Sequence, residues 1–139
     1  MEHELSTQTK GDIAELRVIC ALMSKGCKVF KSCSENCRYD LVFIHEDKFY
    51  KVQVKSSKYH PEQGIIKVHT RSTKSTTAEV RTYKGEVDYF GVYCPQLDKC
   101  YLIPENDVPP SGRAIQIRID PSKCNHEIHN INWAKDYEI

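Results

Sequence analysis

The sequence has no long hydrophobic run. No stretch approaches the ~18 consecutive apolar residues that a spanning helix requires, which excludes a bilayer-crossing helix. The amino terminus, Met1-Glu2-His3-Glu4, lacks the basic-then-apolar pattern of a secretory signal. An intracellular protein is therefore expected, cytoplasmic or nucleoid-associated, with no membrane partner. Internal repeats and linker-like stretches are also missing, and 139 residues supply one respectable core more readily than two. Residues 1–139 are read as a single domain. A formal net charge of only +1 makes no global case for or against a polyanionic partner, so the distribution of charge must carry that argument.

What is present is ordinary for a folded chain: 40% apolar residues, 28% charged residues and eight tyrosines, which excludes disordered and collagen-like classes. The seven cysteines (Cys20, Cys27, Cys33, Cys37, Cys94, Cys100 and Cys124) are odd in number and accompany no secretion signal, so they are read as reduced thiols. Cys33 and Cys37 lack the second, closely spaced ligand pair that structural zinc normally needs. His126 and His129 are assigned no role. Basic residues gather in the middle, at Lys48, Lys51, Lys55, Lys58, Lys67, Arg71, Lys74, Arg81 and Lys84, with few acids between. A phosphate-facing surface can be built there.

Ser6 or Thr9 can cap a helix opening near Lys10, with Ile13, Leu16, Ile19, Cys20 and Met23 at helical spacing and Gly26 as its stop. Glu15 falls beside that apolar stripe. Three β-rich runs follow, Cys27 to Phe30, Tyr39 to Ile44 and Phe49 to Lys55, and suggest an antiparallel meander whose last two strands join at the His45-Glu46-Asp47-Lys48 turn. Ile65 to His69 reads as a strand, Thr70 to Thr77 as a polar loop, and Asp88 to Cys94, Cys100 to Ile103 and Ala114 to Ile119 as strands extending the sheet. Trp133 and Ile131 can dock the tail on the body.

The chemistry concentrates on one hairpin. Strand side chains alternate, so Gln53 and Lys55 share one face while Val52 and Val54 point to the core. Asp40 stands at a comparable height across the turn. A carboxylate, an amide oxygen and an ammonium in reach of one another suit phosphodiester hydrolysis, which needs an activated water and relief of charge on the phosphate oxygens. Asp40, the Gln53 amide oxygen and the Val54 carbonyl are oxygen donors of the kind Mg2+ prefers, and Lys55 faces water or phosphate. Plainer readings stand beside these: Asp40 as a strand opener, Lys55 as a solvated edge lysine.

Arg38-Tyr39-Asp40 followed by Val52-Gln53-Val54-Lys55 resembles the signature of the PD-(D/E)XK endonuclease superfamily. Lys10-Gly11-Asp12-Ile13-Ala14-Glu15, Gly85 to Phe90, Tyr93-Cys94-Pro95 and Trp133 to Tyr137 are similar to the branch of group I intron homing endonucleases, related to Holliday-junction resolvases. The resemblance implies an α/β, restriction-endonuclease-like (resolvase-like) core of an amino-terminal helix plus a mixed β-sheet. It implies a Mg2+-dependent DNA endonuclease, with Mn2+ able to substitute, and adds Glu15 to the catalytic set Asp40, Gln53 and Lys55 as a further metal ligand or water-orienting group. Two departures are Gln53, where most members hold an acid, and Tyr39, where proline often stands. Losing one negative charge lowers the expected metal affinity. The same residues also fit a structure-selective junction resolvase, or a DNA-binding module silenced at Gln53. Ser57, Lys58, Arg71, Lys74 and Arg81 are the expected contacts to double-stranded DNA. Cutting both strands requires two sites, so a homodimer or homotetramer is expected.

Overall fold

The computed structural model of the chain describes residues 3–73, 80–122 and 130–139. Helix α1 spans Thr7–Ser24 and starts earlier than the Lys10 expected, because Ser6 is its cap: the Ser6 Oγ accepts the Thr9 N–H at 3.1 Å. Such a cap contributes about 1 kcal/mol. Gly26, at φ +85°, follows the last turn as expected, in backbone that glycine takes without a Cβ penalty.

The buried face of α1 differs from the expected stripe. Ala14, Val18 and Leu22 are buried, while Leu16 and Met23 are 59% and 60% exposed. The reason lies in the sheet beneath. A Cβ added at Gly91 would stand 2.8 Å from Val18 Cγ1 and 3.1 Å from Val52 Cγ1. The helix therefore descends almost onto backbone at Val18, and Ala14 and Leu22, one turn to either side, share that buried face while Leu16 and Met23 turn away from it.

The strands are β1 (Lys28–Lys31), β2 (Leu41–His45), β3 (Lys48–Ser56), β4 (Tyr59–His60), β5 (Ile65–His69), β6 (Arg71–Thr73), β7 (Val80–Thr82), β8 (Tyr89–Cys94), β9 (Lys99–Pro104) and β10 (Ala114–Arg118). The meander β1-β2-β3 is antiparallel, as the sequence suggests. Glu46 and Asp47, both at positive φ, form its two-residue turn, whose twist matches the flanking strands. Next, β3 pairs in parallel with β8, and β8 antiparallel with β9, to give a mixed sheet ordered β1-β2-β3-β8-β9.

Strands β10, β5 and β4 form a separate sheet behind the first, not an extension of it. Alternation in Ala114–Arg118 reports a buried face without saying which sheet owns the strand. The expected loop at Thr70 to Thr77 is also corrected: Arg71 to Thr73 pair with Val80 to Thr82, with Arg71 opposite Thr82. Lys74 to Thr77 lie outside the described residues. The result is three layers. Leu41, Phe43, Val52 and Val54 pack under α1, and Phe90, Val92 and Ile103 pack on Ile66, Val68 and Ile117 of the second sheet. Each such side chain removed from water contributes roughly 1.5–3 kcal/mol. The tail docks as expected, with Trp133 bridged to Arg118 and the Ile139 N–H bonded to the Cys100 carbonyl at 3.0 Å.

Candidate active site

Pairing of β2 with β3 ends at Leu41 opposite Val52. Past that point β3 has β8 on one side only, and Asp40 takes over the other edge. Its N–H donates to the Val52 carbonyl at 2.9 Å, and its Oδ2 accepts the Val54 N–H at 2.7 Å. Asp40 and Leu41 thus both address Val52, the two-against-one count of a β-bulge, which re-aims a side chain. A strand residue points its N–H and C=O toward the same side, so the Val54 carbonyl faces this open edge too.

Val52 and Val54 are buried under α1, so Gln53 and Lys55 emerge from the opposite face, in register with Phe90 and Val92 of β8. Both are half-buried. The Lys55 Nζ lies 4.9 Å from the centroid of the Tyr83 ring. The Gln53 carboxamide makes no hydrogen bond among the described residues.

From the helix side comes Glu15, whose side chain is 21% exposed and whose Oε2 lies 2.9 Å from the Lys31 Nζ. Hydrogen bonding and charge from Glu15 push the Lys31 ammonium above its ordinary value. Lys31 stands in register with Leu41, next to Asp40. The sequence reading ended this strand at Phe30 and missed it, although the register of an extended meander points to it. Asp40 lies within the electrostatic reach of all three charges. Burial pushes its carboxyl above the ordinary value and Glu15 adds to the rise, while the Val54 N–H, Lys55 and Lys31 pull the other way. The structure thus gathers Glu15, Asp40 and Lys55 around the edge of β3, with Gln53 on the Lys55 face. A cleft of about 560 Å³ opens beside Asp40, lined by Asp12, Glu15, Lys31, Cys33 and Cys37.

A second cluster that sequence reasoning did not single out adjoins Asp40. Arg38 ion-pairs with Glu86, donates to the Ser72 hydroxyl at 3.0 Å and to the Thr82 carbonyl at 2.8 Å, and places its Cζ 4.1 Å from the Tyr83 centroid. Paired charge holds the Glu86 carboxyl below its usual range, the Arg38 hydrogen bond foremost. These contacts run from residue 38 to residues 72–86, a separation at which local sequence patterns carry no signal.

The residues expected on DNA fall in two places. Ser57 is 8% exposed, with its N–H on the Tyr93 carbonyl at 2.9 Å, and exposed Lys58 follows it. Arg71 and Arg81 belong to β6 and β7; Arg71 donates to the Ser111 carbonyl, and exposed Arg81 reaches Glu86 at 3.0 Å. Lys74 lies outside the described residues. Among the described residues no three His, Cys, Asp or Glu side chains gather as they would for a metal ion. No helix among them is long and apolar enough to cross a membrane.

A helix over a mixed sheet, with an aspartate capping an open strand edge and a lysine two residues after a neutral amide donor, is the arrangement of a nuclease core. The PD-(D/E)XK endonuclease family profile matches residues 5–139, and the chain belongs to that family. Among solved structures it is similar to a bacterial homing endonuclease, I-Ssp6803I, at 30% identity, covering 96% of this chain and 89% of that one with a TM-score of 0.72. It is also similar to Hjc, a Holliday junction resolvase of Archaeoglobus fulgidus, at 14% identity over 78% of this chain and 84% of that one, with a TM-score of 0.49. Comparison with curated proteins finds no match.

Proposed function

We propose that this single domain is a homing-type endonuclease that hydrolyses phosphodiester bonds of double-stranded DNA with Mg2+, or Mn2+ in its place, at the open edge of β3. The observation that carries the reading is the Asp40 carboxylate fixed on the Val54 N–H with Glu15, Lys31 and Lys55 in electrostatic reach. The similarity to a homing endonuclease at 30% identity supports the choice within the family.

The donor set fits a hard divalent cation. Asp40 and Glu15 supply carboxylates, Gln53 and Val54 neutral oxygens, and substrate and water complete the set. Burial and a neighbouring carboxylate have raised the Asp40 carboxyl, and a cation beside it favours the charged form again. The bound ion would acidify a water and offset charge on the phosphate. The chain's own side chains do the remainder. Asp40, held by the backbone, fixes where the cation sits. Lys31 keeps Glu15 in place to ligate or orient water. Lys55 offsets negative charge as it builds on the phosphate oxygens. Lys58, Arg71, Lys74 and Arg81 offer cations to DNA phosphates, and Ser57 secures the end of β3. A duplex cut in both strands takes two such sites, supplied by a homodimer or homotetramer across a two-fold axis.

Incubation of supercoiled plasmid with the protein and Mg2+, beside the Lys55→Ala variant, tests the reading. Wild type is expected to nick or linearise the plasmid and the variant to leave it closed. Equal cleavage by both removes Lys55 from the mechanism, and binding without cutting by wild type makes the chain a DNA-binding module.

A further inference from the structure

Lys55 stands apart from the other cations near Asp40 in how it is held. Lys31 is fixed by Glu15, and Arg38 by Glu86, Ser72 and Thr82. Lys55 makes no ion pair or hydrogen bond from its ammonium among the described residues. Among the described residues its ammonium rests on the face of Tyr83, at 4.9 Å, with the Asp40 carboxylate in electrostatic reach. A lysine stem is long and flexible, so an ammonium without a fixed partner samples many positions.

Tyr83 is itself immobilised. It is 5% exposed and stands edge-on to Phe90, with ring centroids 5.7 Å apart and planes at 84°. Phe90 is in register with Gln53 on the neighbouring strand, so the aromatic pair lies along the face from which Gln53 and Lys55 project. The Arg38 guanidinium also rests on the Tyr83 ring, at 4.1 Å, and Arg38 is two residues from Asp40. The contacts of Tyr83 among the described residues are made by its ring.

We propose that Tyr83 is a positioning residue whose ring face holds the Lys55 ammonium at the scissile phosphate by cation–π attraction, with Arg38, locked by Glu86, fixing the ring. The proposal rests on the reading of Lys55 as the charge-offsetting cation. It assigns the segment after β7 a part in the reaction although no atom of it need touch substrate. It also explains why a neutral Gln53 is tolerable beside Lys55: the ring, rather than an acid at position 53, keeps the ammonium in place.

Truncating a buried tyrosine risks unfolding the chain, so the test keeps the ring and changes its electronics. In the full chain, Tyr83→Phe is compared with versions carrying one and then three fluorines on that ring, measuring kcat and KM for Mg2+-dependent DNA cleavage together with thermal unfolding. Tyr83→Phe is expected to keep kcat within about twofold. Fluorination is expected to lower kcat stepwise, by on the order of 2- to 30-fold in total, the range a cation–π contact spans, at constant KM and with the chain still folding cooperatively. A flat kcat across the series, or a change confined to KM, overturns the proposal. Lys55→Ala with undiminished kcat removes the underlying reading of Lys55 instead, and the two failures are told apart in one set of measurements.

Discussion

The Asp40 carboxylate closes the open edge of β3 by accepting the Val54 N–H at 2.7 Å. The bond places an acid where strand pairing has ended and the Val54 carbonyl is turned outward. Burial makes this position unfavourable for a charge, and Glu15 makes it more so. Both effects disfavour the charged form of Asp40, and the proposed cation would offset them.

Asp40→Asn is expected to stabilise the chain. An acid raised in the folded state binds its proton more tightly there than in the unfolded chain. Its contribution to stability is then full below the ordinary value of 3.8 and is lost as pH rises through the raised folded value. At neutral pH the asparagine, which still offers an oxygen to Val54, escapes that loss. Its melting temperature should rise by roughly 1–4 °C, and added Mg2+ should raise the melting temperature of wild type only. A lower melting temperature for the variant contradicts the electrostatic account.

Gln53→Glu adds a carboxylate on the Lys55 face. Since ligand charge tunes cation affinity, the Mg2+ concentration giving half-maximal cleavage should fall by on the order of tenfold. An unchanged requirement places position 53 outside the metal's surroundings.

The cysteines divide by reactivity. Cys94 and Cys100 are buried, and burial pushes the Cys100 thiol up to about 11. Cys33 is exposed, and a backbone hydrogen bond from Tyr39 lowers the Cys37 thiol. A maleimide at pH 8, read by peptide mass, should label Cys33 and Cys37 well before Cys94 and Cys100. Cys33 and Cys37 line the cleft with Glu15 and Asp40. In a Cys20→Ser background, which removes the exposed thiol outside the cleft among the described residues, labelling should therefore slow cleavage at least about tenfold, a block that steric occupation of the cleft would produce. Full activity after labelling separates the cleft from the reaction.

Gly91→Ala forces a methyl against Val18 and Val52, at 2.8 Å and 3.1 Å. Overpacking of this kind costs roughly 1–3 kcal/mol, to be measured by denaturant unfolding. Glu15 rides on the same helix, so cleavage should fall as well. Unaltered stability would mean that α1 lies farther from the sheet.

Much of this arrangement is legible in the sequence, because the signals are local. Alternation over Val52 to Lys55 places Gln53 and Lys55 on one face, and Glu46-Asp47 turns β2 onto β3. The parts that escape are set by distant partners. Ala14, Val18 and Leu22 form the buried face of α1, set by the sheet beneath, where Gly91 lets Val18 approach the backbone. Strand β10 joins β5 rather than the first sheet, a choice its own alternation does not encode. Arg38 meets Glu86 and Tyr83 across more than forty residues, so the cluster beside Asp40 is visible only once the chain is folded.

The most direct measurement is single-turnover cleavage of duplex DNA in Mg2+ by wild type and Asp40→Asn, with DNA binding followed in parallel. The account predicts that both bind and that the variant cleaves at least about 100-fold more slowly, the scale expected when a preorganised charge-handling group is lost. Cleavage by Asp40→Asn at the wild-type rate would contradict it.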